Sequence, residues 1–183
     1  MQKELLEQCQ KKDERAQRAL YHLYKSRLMG VSRRYTRTRE DAQDILQDAF
    51  VKIFNKIHQV SEAGKLEPWM RSIVIRTAID HYHKLKRDDF QSYDIDDREV
   101  LDVKHENLLE HLSDEYLVKA INEIPDGCRF VFNLFEVEGY NHAEIAAMLG
   151  ITEGTSRSQL HYAKHLLKQK LSRIGITRYE KFA

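Results

Sequence analysis

Two prolines and seven glycines are all that interrupt 183 residues of this chain, and its apolar residues recur mostly at spacings of three and four. A pattern with so few breakers and that period can be buried only as helix, because the strict alternation that a half-buried strand needs is scarce. The spacing predicts helices over 13–36, 39–58, 68–87, 113–123, 126–138, 141–149 and 153–172, and so an all-α fold. Pro68 and Pro125 fall where helices begin, in the first turn, whose N–H groups have no intrahelical partner anyway.

The stretch RDDFQSYDIDDREVLDVKHEN, residues 87–107, shows no sustained helical stripe and is crowded with carboxylates that repel one another. It predicts a linker. The chain then divides into a small helical domain at 1–87, an acidic linker at 88–112, a second small helical domain at 113–175 and a tail at 176–183. Net charge is only +1, but its distribution is uneven. Residues 1–87 carry 19 basic and 11 acidic side chains, a balance of +8; residues 88–115 balance to −9, residues 116–152 to −3 and residues 153–183 to +5. Two basic ends around an acidic middle are the footprint of a polyanion binder.

The two cysteines, Cys9 and Cys128, lie far apart with no paired spacing, which gives neither a disulfide framework nor a zinc signature. The longest apolar run, IAAMLGI, is seven residues, far short of a membrane span. The N-terminus MQKELLEQCQKKDERAQ is charged throughout, so no signal peptide is read and the expected compartment is the cytoplasm.

In residues 141–172, Ile145, Ala146, Leu149 and Ile151 form one packing set, and Gly150 stands where the chain must turn sharply. Thr152 suits the N-cap of the following helix. This is the pattern of a helix-turn-helix, whose second helix enters the major groove of DNA. On that helix Leu160, Ala163, Leu167 and Leu171 share one side, while Gly154, Arg157, Ser158, His161 and His165 lie on the other with Tyr162 at its margin. The first turns of such a helix reach base edges, and Lys164 and Lys168 stand nearer the phosphates. The alternative is a solvated polar face on an ordinary helical hairpin. His161 and His165 lack the cysteine or HExxH context of a metal site, so no metal and no cofactor is expected.

In DAQDILQDAFVKIFNKI, residues 41–57, Ala42, Ile45, Leu46, Ala49, Phe50, Ile53 and Ile57 make a buried stripe. Asp41, Asp44 and Asp48 occupy the opposite face with Gln47, Val51 and Asn55. That face is either solvated or a docking surface for a basic partner. In LEPWMRSIVIRTAIDHYHKLKR, residues 66–87, Met70, Val74, Ala78 and Leu85 supply the apolar side. Arg76, His83, Lys84 and Arg87 line another, with Asp80 among them and Trp69 and Tyr82 nearby. A cationic face with aromatic neighbours suits contact with a nucleic-acid backbone and with bases. The plainer expectation is a solvated face on which Asp80 pairs with Arg76 or Lys84.

Taken together, these motifs resemble the extracytoplasmic-function sigma factors, small two-domain initiation subunits of bacterial RNA polymerase. DAQDILQDAFVKIF resembles the segment that docks on the clamp helices of the polymerase β′ subunit. PWMRSIVIRTAIDHYHKLKR resembles the helix bordering the minus-ten element, and IPDGCRFVFNLFEVEGYNHAEIAAMLGITEGTSRSQL resembles region four, which reads the minus-thirty-five element. The resemblance implies polymerase docking by Asp41, Asp44, Gln47 and Asp48, and Val51, standing amid those carboxylates, is counted with them. It implies minus-ten capture and melting by the loop at 59–66 and by Trp69, Arg76, Asp80 and Arg87, and His83 and Lys84 join them by their place on the cationic face. Minus-thirty-five recognition falls to Arg157, Ser158, His161 and Tyr162, with Gly154 near the helix start allowing close backbone approach and Lys164 and Lys168 nearer the phosphates. Many relatives carry arginine where this chain has Tyr162, which can hydrogen-bond or stack but cannot neutralise a phosphate. The implied partners are core polymerase (β′ clamp helices and β flap), promoter DNA and an anti-sigma factor. A stand-alone helix-turn-helix regulator is the rival; with no nucleophile–base pair or phosphate loop, an enzyme is not expected.

Overall fold

The computed structural model describes residues 2–88 and 120–173, with side chains described for 3–85 and 120–170. The acidic linker, the helical stretch expected at 113–119, the tail, and the side chains of Arg87 and Leu171 lie outside the described residues. Among those described, every regular element is a helix or helical turn. The chain divides into two compact units, residues 1–90 and 91–183.

The first unit is built from α1 (Gln2–Gln10), α2 (Glu14–Tyr35), α3 (Arg39–Lys56) and α4 (Leu66–Asp88). Helices α2, α3 and α4 pack against one another, and α1 lies on α2. Asp13 opens α2 by accepting the Ala16 N–H at 2.7 Å, and Thr38 opens α3 by accepting the Asp41 N–H at 3.1 Å. Leu20, Leu28, Ile45, Ile53, Ile57, Met70 and Ile75 fill the core and are almost completely buried. Each such side chain contributes about 1.5–3 kcal/mol relative to an exposed one. Two ion pairs bind the helices at the surface: Arg27 to Glu67 and Lys52 to Asp80, both at 2.9 Å.

Three expectations need correction here. Residues 2–10 form a helix that the periodicity did not mark. Of its described side chains only Leu6 and Cys9 are deeply buried, and the chain leaves it through Lys12 with φ 63, without the glycine that usually announces such a stop. Gln10 secures it by donating to the Val60 carbonyl at 2.8 Å. Leu85 does not join the apolar side of α4; it is 55% exposed, because no described residue beyond Ile79 on this helix is buried. Asp80 pairs with Lys52 on α3 rather than with Arg76 or Lys84 on its own helix.

The second unit holds α5 (Asp126–Phe132), a π-helical turn at Asn133–Val137, α6 (His142–Leu149) and α7 (Glu153–Arg173). Pro125 caps α5. The single helix expected over 126–138 is therefore two segments, and residues 128–134 are buried in succession, as befits a helix covered all round. The Cys128 thiol lies in this core, where burial pushes it up to about 11 and keeps it protonated. Asn141 and Glu144 form a reciprocal capping box at the start of α6. Gly150 ends that helix with φ 65 and ψ 37, a left-handed conformation that a side chain would strain. Thr152 then accepts the Thr155 N–H at 3.0 Å and starts α7. Ile145, Ala146 and Leu149 are buried as expected, but Ile151, inside the connection, is only half-buried.

Candidate functional site

Three helices carry the surfaces of most chemical interest, and each is held by its core face. On α3 the buried stripe Ala42, Ile45, Leu46, Ala49, Phe50 and Ile53 leaves Asp44, Gln47, Asp48 and Val51 on the outside. Those four stand at i, i+3, i+4 and i+7, so they form one continuous row. Val51 is 60% exposed, the most of any large apolar side chain described. Neither Asp44 nor Asp48 meets a cation among the described residues. Asp41 differs: it is half-buried in the first turn and its carboxylate accepts from the Thr38 hydroxyl at 2.6 Å.

On α4, Arg76, Asp80 and Lys84 are exposed in one row, His83 is half-buried with its ring 5.7 Å from that of Tyr82, and Trp69 is half-buried in the first turn. The loop before α4 contains a short 3₁₀ turn at Ala63–Lys65, and Lys65 reaches Glu62 at 2.7 Å. Gln59, Ser61, Glu62 and Gly64 point into solvent there, while Val60 is buried and anchors the loop.

On α7, Leu160, Ala163 and Leu167 are buried, and Gly154, Arg157, Tyr162, His165 and Lys168 are exposed, with Tyr162 at 43%. Ser158 and His161 are half-buried. The Ser158 hydroxyl donates to the Thr155 carbonyl at 3.0 Å, so what it offers outward is a lone pair. Arg157 is not a bare cation: its guanidinium holds Glu153 at 2.8 Å. Lys164, expected near phosphates, is turned to Glu136 in the π-helical turn at 2.6 Å and is only 20% exposed.

What aims α7 was not visible in the helical pattern. Ser156 is completely buried, and its hydroxyl meets His142 Nδ1 at 2.9 Å. The His142 ring stacks on Phe135 with centroids 4.6 Å apart. This chain of contacts ties the start of α7 to the start of α6 and to the π-helical turn. A serine on an otherwise apolar helix side was the available signal. Among the described residues no group of three or more His, Cys, Asp or Glu side chains could hold a metal ion, and no helix is long and apolar enough to cross a membrane.

Two family models match the chain, one in each unit. Residues 20–88 match the family model for Sigma-70 region 2, and residues 114–167 match that for Sigma-70 region 4. The chain is 24% identical over 178 residues to the ECF RNA polymerase sigma-E factor of Haemophilus influenzae, covering 91% of this chain and 93% of that protein. It is 26% identical over 143 residues to the RNA polymerase sigma factor SigV of Bacillus subtilis, covering 78% and 83%. Its fold is similar to that of the sigma factor RpoE of Bartonella quintana, solved with the anti-sigma factor NepR, with a TM-score of 0.52 at 20% identity over 85% of this chain and 96% of that one.

Proposed function

We infer a division of labour among these helices from one premise: the chain belongs to the extracytoplasmic-function sigma factors, which bind core RNA polymerase and direct it to promoters. Such a subunit makes and breaks no bond; the polymerase supplies catalysis. The α3 row of Asp44, Gln47, Asp48 and Val51 is the docking surface for the β′ clamp helices, with Asp41 setting the start of the helix. Unpaired carboxylates around an exposed valine suit a basic surface with an apolar centre, and this row is the observation that carries the reading.

The exposed cations of α4, Arg76 and Lys84, with His83, Trp69 and Arg87, border the minus-ten element, and the loop before them takes part in melting. The helix α7 reads the minus-thirty-five element through Arg157, Ser158, His161 and Tyr162, with Gly154 allowing close backbone approach and Lys168 at the phosphates. The Lys164 contact to Glu136 makes that lysine a brace for α7 first and a phosphate ligand only after exchange. The β flap is the site against which this second unit is held. The reading includes an anti-sigma factor as inhibitory partner, the kind of complex in which the Bartonella quintana protein was solved.

Phosphate neutralisation dominates DNA affinity, and among the described residues of the second unit Arg129, Arg157, Lys164 and Lys170 are already paired with carboxylates, so it binds promoter DNA weakly alone. Polymerase holds both units at a fixed separation and makes the second contact effectively intramolecular. A gel shift on promoter DNA with and without core polymerase tests this. The expected result is a specific shift only with polymerase; a specific shift by the chain alone, as a dimer on a palindrome, would establish the stand-alone regulator instead.

A further inference from the structure

The outer face of α2 carries cations that none of these assignments uses. At roughly 100° per residue, Arg15, Arg18, His22, Lys25 and Arg33 fall within about 80° of one another. They lie opposite the buried side formed by Leu20, Tyr24, Leu28 and Val31, and all five are exposed. Met29 is the only other helical side chain in that sector. From Arg15 to Arg33 the row is about 27 Å long at roughly 1.5 Å per residue.

Several cations elsewhere are paired with a carboxylate: Arg27 sits on Glu67, Lys52 on Asp80, Arg157 on Glu153 and Lys164 on Glu136. On the α2 row the one carboxylate contact among the described residues is Arg18 to Glu14, at 3.9 Å and with both side chains about four-fifths exposed. Lys25 lies over the Tyr21 ring, 5.8 Å from its centroid, and Arg15 and Arg33 meet no carboxylate among the described residues. A row of like charges on one helix face destabilises the helix slightly and is relieved by an external polyanion.

We propose that this row is a sequence-independent seat for the phosphate backbone of duplex DNA. Its side chains are point charges and a guanidinium comb, each able to take a phosphate oxygen without reading a base. It also lacks an open aromatic platform for unstacked bases, because Tyr21 is packed edge-on against Phe50 at 4.7 Å and covered by Lys25. Both features favour a duplex backbone over a single strand. The seat is separate from α4 and α7 and stands whether or not their promoter assignments hold.

The test uses the full chain without polymerase and a fluorescent duplex of scrambled sequence, titrated at several salt concentrations. Glutamine is a good helix former, so the combined variant Arg18→Gln, Lys25→Gln, Arg33→Gln keeps α2. Its slope of log K against log salt is expected to shrink by about 0.9 for each cation removed, while the variant Arg18→Lys, Arg33→Lys keeps the original slope. An unchanged slope in the glutamine variant overturns the proposal, as does an equal loss in the lysine variant. Tighter binding to the matching single strand than to the duplex also overturns it. So does a loss of affinity for core polymerase in the glutamine variant, which would give the face to an acidic protein surface.

Discussion

The outward rows of α3 and α7 carry opposite charges, but they differ more in what their own neighbours do to them. On α3, Asp44 and Asp48 meet no cation among the described residues, and Val51 between turns is open. On α7, Arg157 is already held by Glu153, and Lys164 by Glu136. The first row is ready for a partner as it stands. The second must exchange an internal carboxylate for a phosphate or a base edge, and the exchange returns only the difference between the two contacts. An exposed pair such as Arg157–Glu153 is worth about 0–1 kcal/mol, so the barrier to exchange is small but so is the gain from any single contact. On the proposed assignments the contrast predicts an order of events: docking through α3 first, then DNA reading by α7 once polymerase supplies proximity.

The largest effect should come from reversing the ready surface. Asp44→Lys with Asp48→Lys is expected to weaken core polymerase binding by about 3 kcal/mol or more, because like charges would then face each other. Both positions are exposed, so thermal unfolding should stay unchanged. Full competition by this variant against a second sigma factor would break the comparison at its first term.

Next in size is Arg157→Ala, expected to cost about 1–3 kcal/mol in discrimination at one minus-thirty-five position. The check is a competition between promoter variants with assembled holoenzyme, where unchanged selectivity removes Arg157 from the reading face. The smallest effect sharpens the contrast most. Glu153→Gln frees Arg157, and holoenzyme affinity for promoter DNA should rise by about 0.2–1 kcal/mol. A fall would mean that Glu153 holds Arg157 in its reading position rather than competing for it.

Much of this organisation was legible in the residues because it is periodic. The stripe from Ala42 to Ile57 and the set Leu160, Ala163 and Leu167 are buried as their spacing required, and Gly150 turns left-handed where the connection had to bend. What escaped was non-periodic. Helix α1 rests on two deeply buried side chains and a glutamine bond, too little pattern to register. The pairings Asp80–Lys52 and Lys164–Glu136 join residues on different elements, and helix-wheel neighbours predict only pairs within one. The Ser156–His142–Phe135 contacts likewise depend on three segments meeting. Sequence thus showed which faces point outward more clearly than which charges on them remain unpaired.

The central claim is that two helical modules act on a promoter only when polymerase spaces them. The most direct measurement is run-off transcription by purified core polymerase over a library of promoter fragments, with and without the intact chain. The account predicts defined start sites that appear only when the chain is added and that disappear with Asp44→Lys, Asp48→Lys. Transcripts that never depend on the chain, across the whole library and despite its presence in excess, would contradict it.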